Sequence, residues 1–205
     1  MSTIKLKGSS SGEAAVTVAA AAGTPTFILP TTVGSAGQVL QNSSTPGTLE
    51  FANAGKILQV KQVVKSDTTS VGTTNGGATA PAAISGLVES ITMTSSSNKV
   101  LILVSLNLAR QPQGVIITAG LTRGGTDIAA NTGGNDDGFV QSYVGGAEAS
   151  MMVAPMIHLD TSPGAGTHTY QVTWRVDSHV GYLNRYHGSD SYKSQSSITL
   201  LEVAA

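Results

Sequence analysis

Between Asn98 and Ala109 apolar side chains fall at every second position: Val100, Ile102, Val104, Leu106 and Leu108. A period of two over that length marks an extended strand with one buried face, because successive side chains leave a strand on opposite sides. Thr169 to Asp177 repeats the pattern. There Tyr170, Val172, Trp174 and Val176 predict a core face, and Thr169, Gln171, Thr173, Arg175 and Asp177 a wet one. Strand character recurs in Lys56 to Lys65, Leu87 to Met93, Gly114 to Arg123, Phe139 to Val144, Met151 to Leu159 and Ser196 to Val203, with Gly, Pro, Asn, Asp or Ser clusters between. No stretch carries a convincing helical period. The expectation is an all-β chain whose residues 56 to 205 form a β-sandwich head of the jelly-roll kind.

Some strands carry apolar residues on both faces. Leu101 and Leu103 oppose the core face of their strand, and Ile198 and Leu200 are followed out of phase by Leu201 and Val203. A sheet buried on one side needs one such face. The surplus predicts burial against a neighbouring subunit, with a bulge as the alternative in the last strand.

Residues 1 to 55 are a different material. Between Gly8 and Leu49 the one ionisable side chain is Glu13, yet large apolar residues recur two apart: Ile4 with Leu6, Val16 with Val18, Phe27 with Leu29, then Val39, then Leu49 with Phe51. Turn residues such as Gly23, Pro25, Pro30, Gly37 and Gly47 separate them. So few apolar side chains do not offset an ordering cost of roughly 1 to 2 kcal/mol per residue. Three copies running together would turn each one-sided stripe into a narrow shared core. The segment therefore predicts a trimeric β shaft or extended anchor, against the alternative of a disordered tail.

Composition excludes more functions than it supports. Eleven Lys and Arg against 12 Asp and Glu give a net charge of -1, which leaves no broad cationic surface for nucleic acid. The absence of cysteine removes disulfides, thiolate metal sites and cysteine nucleophiles. No apolar run approaches the roughly 18 residues of a membrane span, so no membrane insertion is expected. The stretch from Ala14 to Ala22 lacks the charged-then-apolar order of a secretion signal.

Residues that could carry chemistry are sparse. His158, His168, His179 and His187 lack the paired spacing of a helix-borne zinc site, and Gly-x-Ser-x-Gly is absent. Asn135, Asp136 and Asp137, within Asn131 to Gly138, offer oxygen donors for calcium, but without regular donor alternation or a distal glutamate they read as a turn. No cofactor, metal or catalytic residue is expected, and the chain is expected not to be an enzyme. The densest recognition chemistry is Tyr182, Asn184, Arg185, Tyr186, His187, Asp190 and Tyr192. Flat faces with directional hydrogen bonds suit contact with a glycan or a protein, and would equally fill space between subunits.

The run Ile4-Lys5-Leu6-Lys7-Gly8, then Phe27-Ile28-Leu29-Pro30, Gly34-Ser35-Ala36-Gly37-Gln38-Val39-Leu40 and Leu49-Glu50-Phe51-Ala52 resembles a segment of structural proteins of tailed bacteriophages, most closely those of cyanobacterial and marine phages. Lys99 to Val104 and the closing Ser197 to Ala205 resemble strands of the heads of such proteins. The resemblance implies a homotrimer on the virion surface, assembled in the host cytoplasm and joined to other virion proteins by its N-terminal segment. Two roles follow: a short tail fibre whose head attaches to a host surface glycan or protein, or a capsid decoration (cement) trimer that stabilises the shell.

Overall fold

Period-two patterning becomes strand throughout the computed structural model, which describes residues 3–7, 13–17, 23, 26–53, 55–72, 81–111, 115–128, 138–142, 151–186 and 189–205 and contains no helix among them. The chain divides into two units, Met1–Ala54 and Gly55–Ala205. The first holds β1 (Thr3–Lys7), β2 (Glu13–Thr17), β3 (Gln38–Asn42) and β4 (Leu49–Asn53). The second holds β5 (Ile57–Lys65), β6 (Thr69–Gly72), β7 (Ala82–Met93), β8 (Lys99–Gln111), β9 (Ile117–Arg123), β10 (Thr126–Asp127), β11 (Val140–Ser142), β12 (Met152–Asp160), β13 (Gly166–Val176), β14 (Val180–Leu183), β15 (Arg185–Tyr186), β16 (Ser189–Lys193) and β17 (Ser196–Val203).

The second unit is a sandwich of two antiparallel sheets. One runs β5-β17-β8-β12, and the other runs β7-β13-β9-β11 with β10 further along β9. Consecutive strands alternate between the sheets, so these eight, counted along the chain, appear in the orders 1-8-3-6 and 2-7-4-5. That is the jelly-roll arrangement of two Greek keys. The expected alternation supplies its core: Val100, Ile102, Val104, Leu106 and Leu108 from one sheet meet Leu87, Ile91, Leu121, Tyr170 and Val172 from the other. Tyr170 and Trp174 are buried, as their spacing predicts.

Several local expectations change. Thr173 and Arg175 are buried although they lie on the polar face of β13. β13 is flanked on both sides, by β7 and β9, and Thr173 Oγ1 fills the space that the missing side chain of Gly120 leaves. β7 starts at Ala82, earlier than its apolar run predicts, because it bulges. Gly86 takes a φ of +83°, the register with β13 shifts there, and the Gln171 amide donates to the carbonyls of Ile84 and Leu87 across the irregularity. In β17 the phase does not change at Leu201. The buried series Ser196, Ile198, Leu200 continues to Glu202, so Leu201 and Val203 lie on the outer face.

Glu202 is tolerated inside because its carboxylate is fully engaged. Asn98 Nδ2 (2.7 Å), Thr94 N and Oγ1 (2.8 Å each) and Gln59 Nε2 (2.5 Å) all donate to it. Burial alone would raise its pKa, but these hydrogen bonds outweigh that and hold it below the ordinary glutamate value. At the opposite end of β12, Asp160 accepts from Tyr170 Oη (2.9 Å) and Arg123 Nη1 (2.5 Å). Burial, and then the bond to Asp160, push the Tyr170 phenol well above its usual range.

In the first unit, β1 pairs with β2, placing Ile4 opposite Val16 and Leu6 opposite Ala14, and β3 pairs with β4. Val18 lies outside the described residues. Leu40 stands opposite Phe51, and Val39 opposite Ala52. Val39 therefore projects from the other side of this hairpin than Leu49 and Phe51, and the expectation of one shared stripe fails here by one residue. Phe27 and Leu29 flank a single parallel bridge, Ile28 to Thr48, and stand 66% and 68% exposed. No apolar side chain described between residues 26 and 52 is buried. The closest packing is the Phe51 ring over Gly34, where a Cβ would come within 2.6 Å of it.

Candidate functional site

The tyrosine-rich segment is built around a joint in the larger sheet. β8 carries β12 on one side, and on the other it carries β17 and, further along, β14. β5 and β6 continue this layer by pairing with β17 and β14 respectively. Between the end of β14 and the start of β17 the chain leaves the sheet as the β15–β16 hairpin and then returns.

Asn184 holds this joint. It is completely buried, so the expectation that it touches a receptor is incorrect. Its φ is +60°, a left-handed conformation that asparagine tolerates better than most residues. Its side-chain amide donates to the carbonyls of Lys65 (2.8 Å) and Asp67 (3.0 Å), where β5 passes into β6. Its Oδ1 accepts from Ser196 Oγ (2.6 Å) at the start of β17. Its backbone N–H donates to Asn107 O, and its carbonyl accepts from the Ser194 N–H. One side chain thus satisfies backbone groups that four interrupted strands would otherwise leave open. It fixes the root of the hairpin.

From that root the aromatic residues take different positions. Tyr182, in β14, is half-buried on the outer side of the sheet, and the Arg185 guanidinium lies 4.9 Å from its ring centroid, a cation–π contact. Tyr186 and Tyr192 meet edge to face on the hairpin, with centroids 6.2 Å apart and planes at 85°. Together with Met151 they line an open cleft of about 530 Å³. Tyr192 is 67% exposed and Tyr186 half-buried. His187 lies outside the described residues, and Asp190 is placed in β16 by its backbone alone. The spacing of the tyrosines did not reveal Met151, which comes from the beginning of β12, far away in sequence. Its exposed thioether beside two rings gives the cleft an apolar floor of adaptable shape.

Nothing comparable assembles from the other candidates. His158 meets Phe139 edge-on at 6.2 Å, and a His168 ring nitrogen lies 3.2 Å from the Gly164 carbonyl. Among the described residues no three His, Asp or Glu side chains gather as metal ligands, and Asn135, Asp136 and Asp137 lie outside those residues. A second cleft, also about 530 Å³, opens on the outer face of the other sheet between Thr122, Asp127, Thr169, Gln171 and Thr173. Asp127 is the one ionisable group on its described lining. Gln171 Nε2 is committed to the β7 bulge, and Thr169 shares a hydrogen bond with Ser90. The chemistry that remains is adsorption of a ligand to exposed aromatic surface. Compared with known proteins, the chain matches no family model and no curated sequence.

Proposed function

We propose that this chain is a non-enzymatic structural protein of a tailed-phage virion: a homotrimeric short fibre whose head attaches to a glycan or protein on the host surface. Residues 1–55 act as shaft or anchor and join the head to other virion proteins. The observation that carries the reading is the Tyr186–Tyr192–Met151 cleft, displayed on a hairpin whose root is fixed by a buried, fully bonded asparagine. Tyrosine rings offer apolar faces to sugar C–H groups or side chains at low entropic cost, and their hydroxyls hydrogen-bond at the edge. Three weak sites on one trimer gain affinity through effective concentration. The exposed apolar side chains around Phe27 and Leu29 support a role for the N-terminal unit in contacts with other copies or other virion proteins.

The test replaces Tyr186 and Tyr192 by alanine in the phage. Adsorption to host cells is expected to fall at least tenfold while particle yield and integrity are unchanged; unaltered adsorption rejects attachment through this hairpin. The second reading, a capsid decoration trimer, is favoured by the same exposed residues at Phe27 and Leu29, which suit a strap laid across shell subunits. Antibody labelling of intact virions separates the two, since a fibre is decorated at the tail and a cement protein over the shell. Particles that lack a cement protein also lose heat or salt resistance.

A further inference from the structure

The outer face of the β5-β17-β8-β12 sheet is aliphatic where a solvated sheet would be polar. Across these four strands the outward positions carry one charge, Lys99. The central residues Leu101, Leu103, Leu201 and Val203 are partly covered by their neighbours. The open surface is concentrated at the two sides. Ile57, Val60 and Val64 on β5 are 47 to 56% exposed, and Val153, Ile157 and Leu159 on β12 are 42 to 64% exposed. Together these six leave on the order of 500 Å² of apolar surface open, toward the upper end of the largest patch found on ordinary monomers. With its polar fringe of Gln62, Thr199 and Ser105, the face approaches the ~800 Å² that each partner gives to a stable interface.

We infer that this face is the contact between head units of the proposed homotrimer, with the β12 side of one copy set against the β5 side of the next. The inference rests on the homotrimer reading and adds to it the surface and its polarity. A second copy is the occupant that fits, because the face presents no carboxylate and almost no positive charge for a charged partner to answer, while each side offers the aliphatic surface that the other lacks. The two patches lie on opposite sides of one sheet and differ in sequence, which is the condition for a head-to-tail contact that closes into a ring. Met151 stands two residues before Val153, so the tyrosine cleft opens at the rim of this contact rather than beneath it.

The absence of cysteine in the natural sequence permits a clean test on the full chain. Val60→Cys and Ile157→Cys are made singly and together, and treated with a bis-maleimide too short to bridge the ~14 Å that three strand spacings put between these sites within one copy. Both positions are exposed, so unchanged circular dichroism and melting are expected. The double variant should give a covalent trimer as its limiting product on a denaturing gel, and each single variant should stay uncrosslinked. Dimers from either single variant would show like meeting like and overturn the head-to-tail arrangement. No crosslinking in any variant, with the unaltered chain sedimenting as a trimer, rejects this face and leaves the homotrimer standing. An unaltered chain that sediments as a monomer removes both.

Discussion

The two units of this chain use the same apolar residues at the same two-residue spacing, with opposite results. In β8, Val100 to Leu108 find a second sheet across the interior and are buried. In the N-terminal unit, Phe27, Leu29, Val39 and Phe51 are each at least 36% exposed. Alternation therefore specifies a strand and its faces, while burial requires a second layer. The first unit has hairpins and no layer to oppose them. Its chemistry is that of half an interface, which is why partners had to be proposed for it and not for the core of the head.

The largest effect that would sharpen this contrast is a pair of truncations. Leu106→Ala removes a completely buried side chain between the sheets and should cost the head about 3 to 4 kcal/mol, read as a lower denaturant midpoint. Leu29→Ala removes a side chain that is 68% exposed and should leave that midpoint within about 0.5 kcal/mol. Equal losses from both would break the comparison, because the N-terminal residues would then be contributing to the stability of the head.

The joint at Asn184 should come next. Asn184→Ala places a Cβ residue without a polar side chain at φ +60° and leaves the carbonyls of Lys65 and Asp67 and the hydroxyl of Ser196 without this partner. A loss of about 3 kcal/mol is expected, from left-handed backbone strain and unsatisfied buried groups together. Asn184→Gly relieves the backbone while leaving the polar loss, so it should cost less, by about 1 kcal/mol. If the two variants melt together, the conformation at residue 184 is not what holds the hairpin root.

How much of this could be read from sequence depended on strand length. The eight strands of the sandwich were legible because each is a run with an apolar face and turn residues on either side. β6, β14, β15 and β16 were not, since two to five residues carry too little periodicity to separate a strand from a loop. The start of β7 was missed because Pro81, Ala82, Ala83, Ser85 and Gly86 resemble turn material, and its bulge depends on the Gln171 side chain, far along the chain. At the candidate site the tyrosines were visible, but the burial of Asn184 was not, because a polar residue within a polar run carries no sign of the carbonyls it will meet. Glu202 is a different case. It stands in phase with Ile198 and Leu200, and following the alternation strictly, instead of moving to the nearest apolar residue, places a carboxylate inside.

That carboxylate sets the smallest and most specific prediction. Its pKa in the folded head lies below the unfolded value, so its hydrogen bonds contribute stability above roughly pH 4.5 that disappears as pH falls through the lower, folded pKa. Glu202→Gln keeps the shape but turns an acceptor of four hydrogen bonds into a group that must also donate, facing Asn98 Nδ2, the Thr94 amide and Gln59 Nε2. At pH 7 a loss of about 2 kcal/mol is expected. As pH is lowered from 5 toward 3, the melting temperature of the unaltered head should fall more steeply than that of the variant, and the gap between them should narrow. Parallel curves would mean that the proton is taken up equally by folded and unfolded chains. Glu202 would then be buried without being held ionised, and the hydrogen bonds converging on it would be the cost of placing it there instead of a source of stability.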